Sequence, residues 1–377
     1  MSGPRSLNGT YDAHVFTSRA VELIEQHDAS EPLYLYLAYH NVHDACASDR
    51  FALGLQAPLG TVEREYSTTA LDTWKVQGAM TTELDLGVGN VTAALRAAGL
   101  WDSTLLVFMS DNGGPLDHTS NYPFRMGKGH EFEGGYRVVA FASGPALPPA
   151  VRGTRLDAMM HASDWYATLT GAAGFAPPAD TGPTPADGLN LWPALIGANL
   201  TSPRVEVIHA VNNRYFNPSL GNVAVQAARF GKYKLILGVN CSLPSNKVWQ
   251  AWPAPAAGAV PFGRSGGVVE AGTDHARAPL LEDAPNRSEL ATGATAAAAH
   301  PCLFDLEADP SERHDLAADP QHAELLASLV ARLKRRADTG PDIALAFPLG
   351  QLNKTCGAAV CEQEEQTGYL EPVDWVH

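Results

Sequence analysis

The stretch Leu105-Leu106-Val107-Phe108-Met109-Ser110-Asp111-Asn112-Gly113-Gly114 constrains this chain more than any other. A short apolar run ends abruptly at an acid, an amide and two glycines. Buried strands of open α/β sheets look like this where they deliver a polar site beyond their carboxyl end. Asp111 and Asn112 offer hard oxygen donors suited to Ca2+ or Mg2+. Gly113 and Gly114 let the backbone turn tightly beside them. Read alone, Asp-Asn-Gly-Gly is more readily the composition of an ordinary turn, so the surrounding pattern must decide.

That pattern alternates. Phe16–Gln26 is spaced as an amphipathic helix, and Leu33–Tyr39 reads as a strand followed at once by His40, Asn41 and His43. Thr69–Ala98 predicts a long helix closed by Gly99, and Thr104–Met109 the next strand. A polar, glycine-rich loop over Ser120–Gly135 precedes a strand over Tyr136–Ser143 and a helix over Ser163–Ala172. Strands alternating with helices predict an α/β domain over 1–203, with a partial, mainly parallel sheet flanked by helices. Composition shifts near Thr201-Ser202-Pro203. Beyond it, Val205–His209, Ala224–Phe230, Tyr233–Leu237 and Leu303–Leu306 predict an antiparallel sheet, and Ala318–Ala337 a terminal helix. Residues 204–377 are thus expected to form a smaller α+β subdomain, interrupted by a loose Ala/Pro/Gly-rich insertion over 242–300.

Three segments carry residues that make sense as one receptor. They are His43, the pair Asp111 and Asn112, and the cationic loop Arg125-Met126-Gly127-Lys128-Gly129-His130. Two oxygen donors, an imidazole and a cluster of cations suit a tetrahedral oxyanion held on a metal. The chain carries a net charge of −15, which argues against nucleic acid as a partner and makes local cations necessary for any anion.

These residues lie in a longer pattern. Asp85-Leu86-Gly87-Val88-Gly89-Asn90-Val91-Thr92, Gly99-Leu100-Trp101, Ser110-Asp111-Asn112-Gly113-Gly114 and Glu133-Gly134-Gly135-Tyr136-Arg137 follow in order. So do Ser163-Asp164-Trp165-Tyr166, Phe230-Gly231-Lys232-Tyr233-Lys234-Leu235 and Leu303-Phe304-Asp305-Leu306 through Asp309-Pro310-Ser311-Glu312. In this the chain resembles the sulfatases, and within them the animal arylsulfatase B group with its I and J relatives. The resemblance implies an alkaline-phosphatase-like fold and hydrolysis of sulfate esters, on small molecules or sulfated carbohydrate. It implies that Asp111 and Asn112 ligate Ca2+, with Mg2+ as the alternative. Lys128 would grip a sulfate oxygen and His43 would stand beside the leaving-group oxygen, while Arg125 and His130 support the anion. The family's nucleophile is a formylglycine made from Cys-x-Pro-Ser-Arg. That motif does not occur in this sequence, and Cys46-Ala47-Ser48-Asp49-Arg50 lacks its proline and misplaces its serine. The chain alone is therefore expected to be inactive, as part of a longer enzyme. Two other classes stay open: a secreted, non-catalytic module binding anions or sulfated glycans, and a related metal-dependent phosphoester hydrolase.

Six Asn-x-Ser/Thr sequons, including those at Asn90 and Asn199, point to a secretory glycoprotein of lysosomal or extracellular destination. No apolar run is long enough to span a membrane, and Met1–Leu7 has no apolar leader core. Of the five cysteines, Cys241 and Cys302 are expected to pair across the base of the insertion. Whether Cys356 and Cys361 pair with each other or elsewhere stays open.

Overall fold

The computed structural model describes residues 10–43, 55–69, 72–116, 119–175, 187–214, 224–239, 241 and 300–339. Cys46, the insertion over 242–299, Cys356 and Cys361 lie outside them. The described residues fall into two compact units that divide between Ser103 and Thr104.

The first unit is helical. α1 (Asp12–Glu25) and α2 (Leu59–Tyr66) each bury an apolar stripe against α3 (Asp72–Ala97). Ala20 and Ile24 of α1 meet Val91, Ala94 and Leu95 of α3. Residues three and four apart share a helix face, which is why this spacing forms a seam. α3 ends where Gly99 takes φ +70°, with Gly99 N donating to Arg96 O and Leu100 N to Leu95 O. These two bonds satisfy carbonyls that a helix end otherwise leaves bare. The Leu33–Tyr39 segment alternates as expected of a strand, Leu35 and Leu37 packing on the α1–α3 core while Tyr34 and Tyr36 are exposed. It belongs to no described ladder.

The second unit holds both sheets. β1 (Leu106–Met109) and β2 (Ala140–Ser143) pair antiparallel, with Phe108 stacked on Phe141 at 5.1 Å. Between them the chain makes the excursion that carries the candidate site, ending in the short helix α4 (Glu133–Tyr136). α5 (Asp164–Ala172) and α6 (Trp192–Leu195) follow, and then β3 (Glu206–Arg214), β4 (Ala224–Phe230), β5 (Tyr233–Leu237) and β6 (Cys302–Asp305). These four form one antiparallel sheet in sequence order. Side chains alternate across a sheet. One face of this sheet places Ala228, Phe230, Leu235 and Leu303 against Leu329 and Leu333 of α7 (Ala323–Thr339). The other places Ala227, Ile236, Cys302 and Phe304 against Met126 and Phe132 of the excursion.

The α/β class and the carboxyl-terminal antiparallel sheet agree with the sequence reading. The parallel pairing does not: every ladder among the described residues is antiparallel. Met126 and Phe132 share a core with β4–β6, so the excursion and the carboxyl-terminal sheet lie in one compact unit.

Candidate functional site

The loop after β1 is built by backbone contacts. Ser110 Oγ donates to Asn112 O at 2.9 Å, and Asn112 N donates to Asp111 Oδ1 at 2.8 Å. Asn112 Nδ2 donates to Gly113 O at 3.0 Å, which directs its amide oxygen the other way. Asp111 is exposed and Asn112 partly buried.

This loop is sewn to the cationic one. Lys128 N donates to Gly114 O at 2.9 Å. Asn121 closes the knot from both sides, its Oδ1 accepting from Gly114 N and its Nδ2 donating to Gly114 O, each at 2.8 Å. Gly113 N donates to Gly135 O at 3.0 Å, and Gly134 N to Arg125 O at 2.8 Å. The Asp111–Asn112 loop and the Lys128 loop are thus fixed to each other, and to the Gly134–Gly135 turn, through main-chain bonds. The Lys128 side chain is partly buried.

Arg125 does not join them. It is 2% exposed, lies over the Phe132 ring at 4.3 Å, and donates from Nη1 to Glu312 O and from Nη2 to Cys241 O. Burial pulls its pKa down, with the Glu312 carboxylate opposing. The guanidinium is engaged by these buried carbonyls and the Phe132 ring. His130 turns Nδ1 toward the carbonyls of Gly127 and Lys128, both at 3.2 Å, and so belongs with its own loop. His43 lies in the first unit, exposed, its amide donating to His40 O at 2.8 Å. The residue two before it is anchored firmly: Asn41 Nδ2 donates to Tyr11 OH at 2.8 Å and to Met80 O at 2.9 Å. Burial raises the Tyr11 hydroxyl to about 12.

Two oxygen donors in sequence fit the chemistry of a hard cation, but Ca2+ takes six to eight. Among the described residues, no group of three or more His, Cys, Asp or Glu side chains could hold a metal. Asp111 and Asn112 therefore fit such an ion as part of its coordination sphere only.

Elsewhere, Cys241 and Cys302 form a disulfide, with Cα atoms 6.2 Å apart. Asn90 is exposed on α3. Asn199 is exposed in the turn after α6, its Oδ1 accepting from Thr201 N at 3.0 Å. No helix among the described residues is long and apolar enough to cross a membrane.

Sequence reasoning missed Asn121, whose only signal was an amide inside a glycine-rich loop. It also gave no role to Glu133, Lys234 and Glu312. Their signal was local: Lys234 interrupts the apolar strand Tyr-Lys-Leu-Ile-Leu.

Known proteins share this architecture. Residues 2–175 match the Sulfatase family model. Arylsulfatase J of Mus musculus is 31% identical over 87% of this chain and 49% of the relative. N-acetylgalactosamine-6-sulfatase of Canis lupus familiaris is 32% identical over 50% of this chain and 33% of the relative. Among solved structures, that of Ps i-CgsB superposes with a TM-score of 0.60 at 24% identity, covering 89% of this chain and 57% of the other. The same protein has been crystallised with k-i-k-neocarrahexaose. The chain spans about half the length of the mouse relative and a third of the canine one. Through residues 2–175, which match its family model, this chain carries a domain of the sulfatase family.

Proposed function

We propose that this chain carries the metal-facing and sulfate-facing loops of an arylsulfatase-type sulfuric ester hydrolase whose substrates are sulfated carbohydrates. The observation that carries this reading is the Lys128–Gly114 main-chain bond, which ties the Arg125–His130 loop to the Asp111–Asn112 turn. An ammonium beside a carboxylate-bound cation receives a sulfate-ester oxyanion better than either does alone. The names of the relatives, several of them N-acetylgalactosamine-6-sulfatases, support a sulfated sugar.

In this reading Asp111 and Asn112 supply oxygen ligands to Ca2+, with Mg2+ as the alternative. That ion, when bound, polarises the sulfate oxygens. Lys128 holds a sulfate oxygen. Cys-x-Pro-Ser-Arg is absent from these 377 residues, so the part played by these residues is to bind and orient the sulfate. A secretory setting, with glycans on Asn199 and Asn90, accords with the Cys241–Cys302 disulfide, since such bonds persist in oxidising compartments.

Calorimetric titration of inorganic sulfate into the chain with Ca2+ tests this. Binding is expected, lost in Lys128→Ala and weakened in Asp111→Asn. Sulfate binding indifferent to both substitutions would overturn the assignment.

A further inference from the structure

Three sequence motifs that the sulfate site leaves unused meet at one buried point. Lys234 sits on β5 beside Ile236, on the sheet face turned toward Met126 and Phe132, and is 0% exposed. Its Nζ donates to Glu133 Oε1 at 3.1 Å and forms an ion pair with Glu312 Oε1 at 3.0 Å. The other oxygen of Glu312, Oε2, accepts from the Glu133 amide at 2.6 Å, while the Glu312 carbonyl accepts from Arg125. Glu133 is 3% and Glu312 0% exposed. Two buried cations and two buried carboxylates thus balance. Such a cluster is weak evidence for stability as such, because apolar residues of the same volume often serve as well.

Its placement says more. Glu133 opens the Glu-Gly-Gly turn, whose next two residues bond directly to the site loops: Gly134 N to Arg125 O, and Gly135 O to Gly113 N. Gly113 leads through Gly114 to Lys128. A chain of hydrogen bonds and ion pairs therefore runs from β5 and the turn after β6 to the residues flanking Asp111, Asn112 and Lys128.

We propose that Lys234, Glu133 and Glu312 are positioning residues: a buried charge lock through which the carboxyl-terminal sheet sets the spacing of the Asp111–Asn112 turn and the Lys128 loop. The proposal rests on the sulfate-site reading for its functional consequence, but its mechanical content is separate.

Hydrogen exchange on the chain, with sulfate titration alongside, tests both. In Lys234→Met, the amides of Gly113, Lys128 and Gly134 are expected to exchange about tenfold faster or more, while those of β4 and β5 hold close to wild type. Adding Glu312→Gln removes one stranded carboxylate and is expected to return loop exchange toward wild type, a rescue that a mere packing defect would not show. The single variant Glu312→Gln keeps an oxygen for the Glu133 amide and serves if Lys234→Met does not fold. It is expected to speed loop exchange less than Lys234→Met does. Uniform acceleration of loops and sheet together, or loop exchange unchanged in every variant, would overturn the lock. If wild type binds no sulfate yet the loops loosen selectively, the lock stands and the sulfate reading falls. If sulfate binds and its affinity survives selective loosening, the lock does not set the site and the functional consequence is refuted.

Discussion

The carbonyl oxygen of Gly134 stands 1.7 Å from where a β-carbon on Gly113 would lie. The two backbones touch because each belongs to a loop that the candidate site needs, and only the absence of a side chain lets them approach.

Gly113→Ala should therefore cost about 1–3 kcal/mol through overpacking against immovable backbone, read as a lower urea midpoint. Gly89→Ala is the control: on α3, nothing lies within 4 Å of its added carbon. That substitution should raise stability by about 0.5–1 kcal/mol. Equal effects of the two would contradict the close approach.

Lys128→Ala should leave stability within about 0.5 kcal/mol of wild type, because the loop is held by the Lys128 main chain and by Asn121. Sulfate affinity should vanish in the same protein. Asn121→Ala should do the reverse in part, loosening the loop and lowering the melting temperature. A melting temperature that drops more in Lys128→Ala than in Asn121→Ala would refute this division of labour.

Arg204→Met should be among the most damaging single changes. Arg204 donates from Nε at 2.7 Å, and from Nη2, to Asp164, whose side chain is 0% exposed. Asp164 also accepts the amides of Leu189 and His161. Burial pushes the Asp164 carboxyl up, but Arg204 and these amides together bring it below its usual value. Stranding that carboxylate costs about 3–5 kcal/mol, measurable by denaturant unfolding at pH 7. Because the folded pKa is depressed, the pair's contribution is present above the unfolded carboxylate range and is lost as pH falls through the folded value.

Glu312 has the opposite sign. Burial raises its carboxyl from 4.5 to about 7, with Lys234 opposing and Glu133 assisting. Between those values the folded state binds more protons than the unfolded one, so this group's contribution is full below about 4.5 and is lost as pH rises to about 7. Glu312→Gln lacks that titration. The stability of wild type minus variant should fall between pH 5 and pH 8, and a flat difference would show that Glu312 ionises normally.

Local pattern made much of the fold legible. Helical spacing placed α1, α3 and α7 within a few residues, and the Ala224–Phe230 and Tyr233–Leu237 strands match to the residue. α2 was missed because Leu59–Tyr66 is short and flanked by segments without periodicity. The site was half legible. The oxygen donors after β1 and the cationic loop stood out by residue type. The use of each cation did not, because Arg125 and Lys128 look alike in sequence and differ only in which way the backbone turns them.

What the linear order of residues determined by itself is where α1, α3, α7, β4 and β5 lie, since glycines and apolar periods act over a few residues. Tertiary structure alone decided which charges face solvent and which are buried. Lys234, Glu133 and Glu312 come from segments far apart in the chain and meet only when a sheet packs on a loop. Local periodicity carries no record of such partners, because the free energy of a buried ion depends on groups brought to it through space.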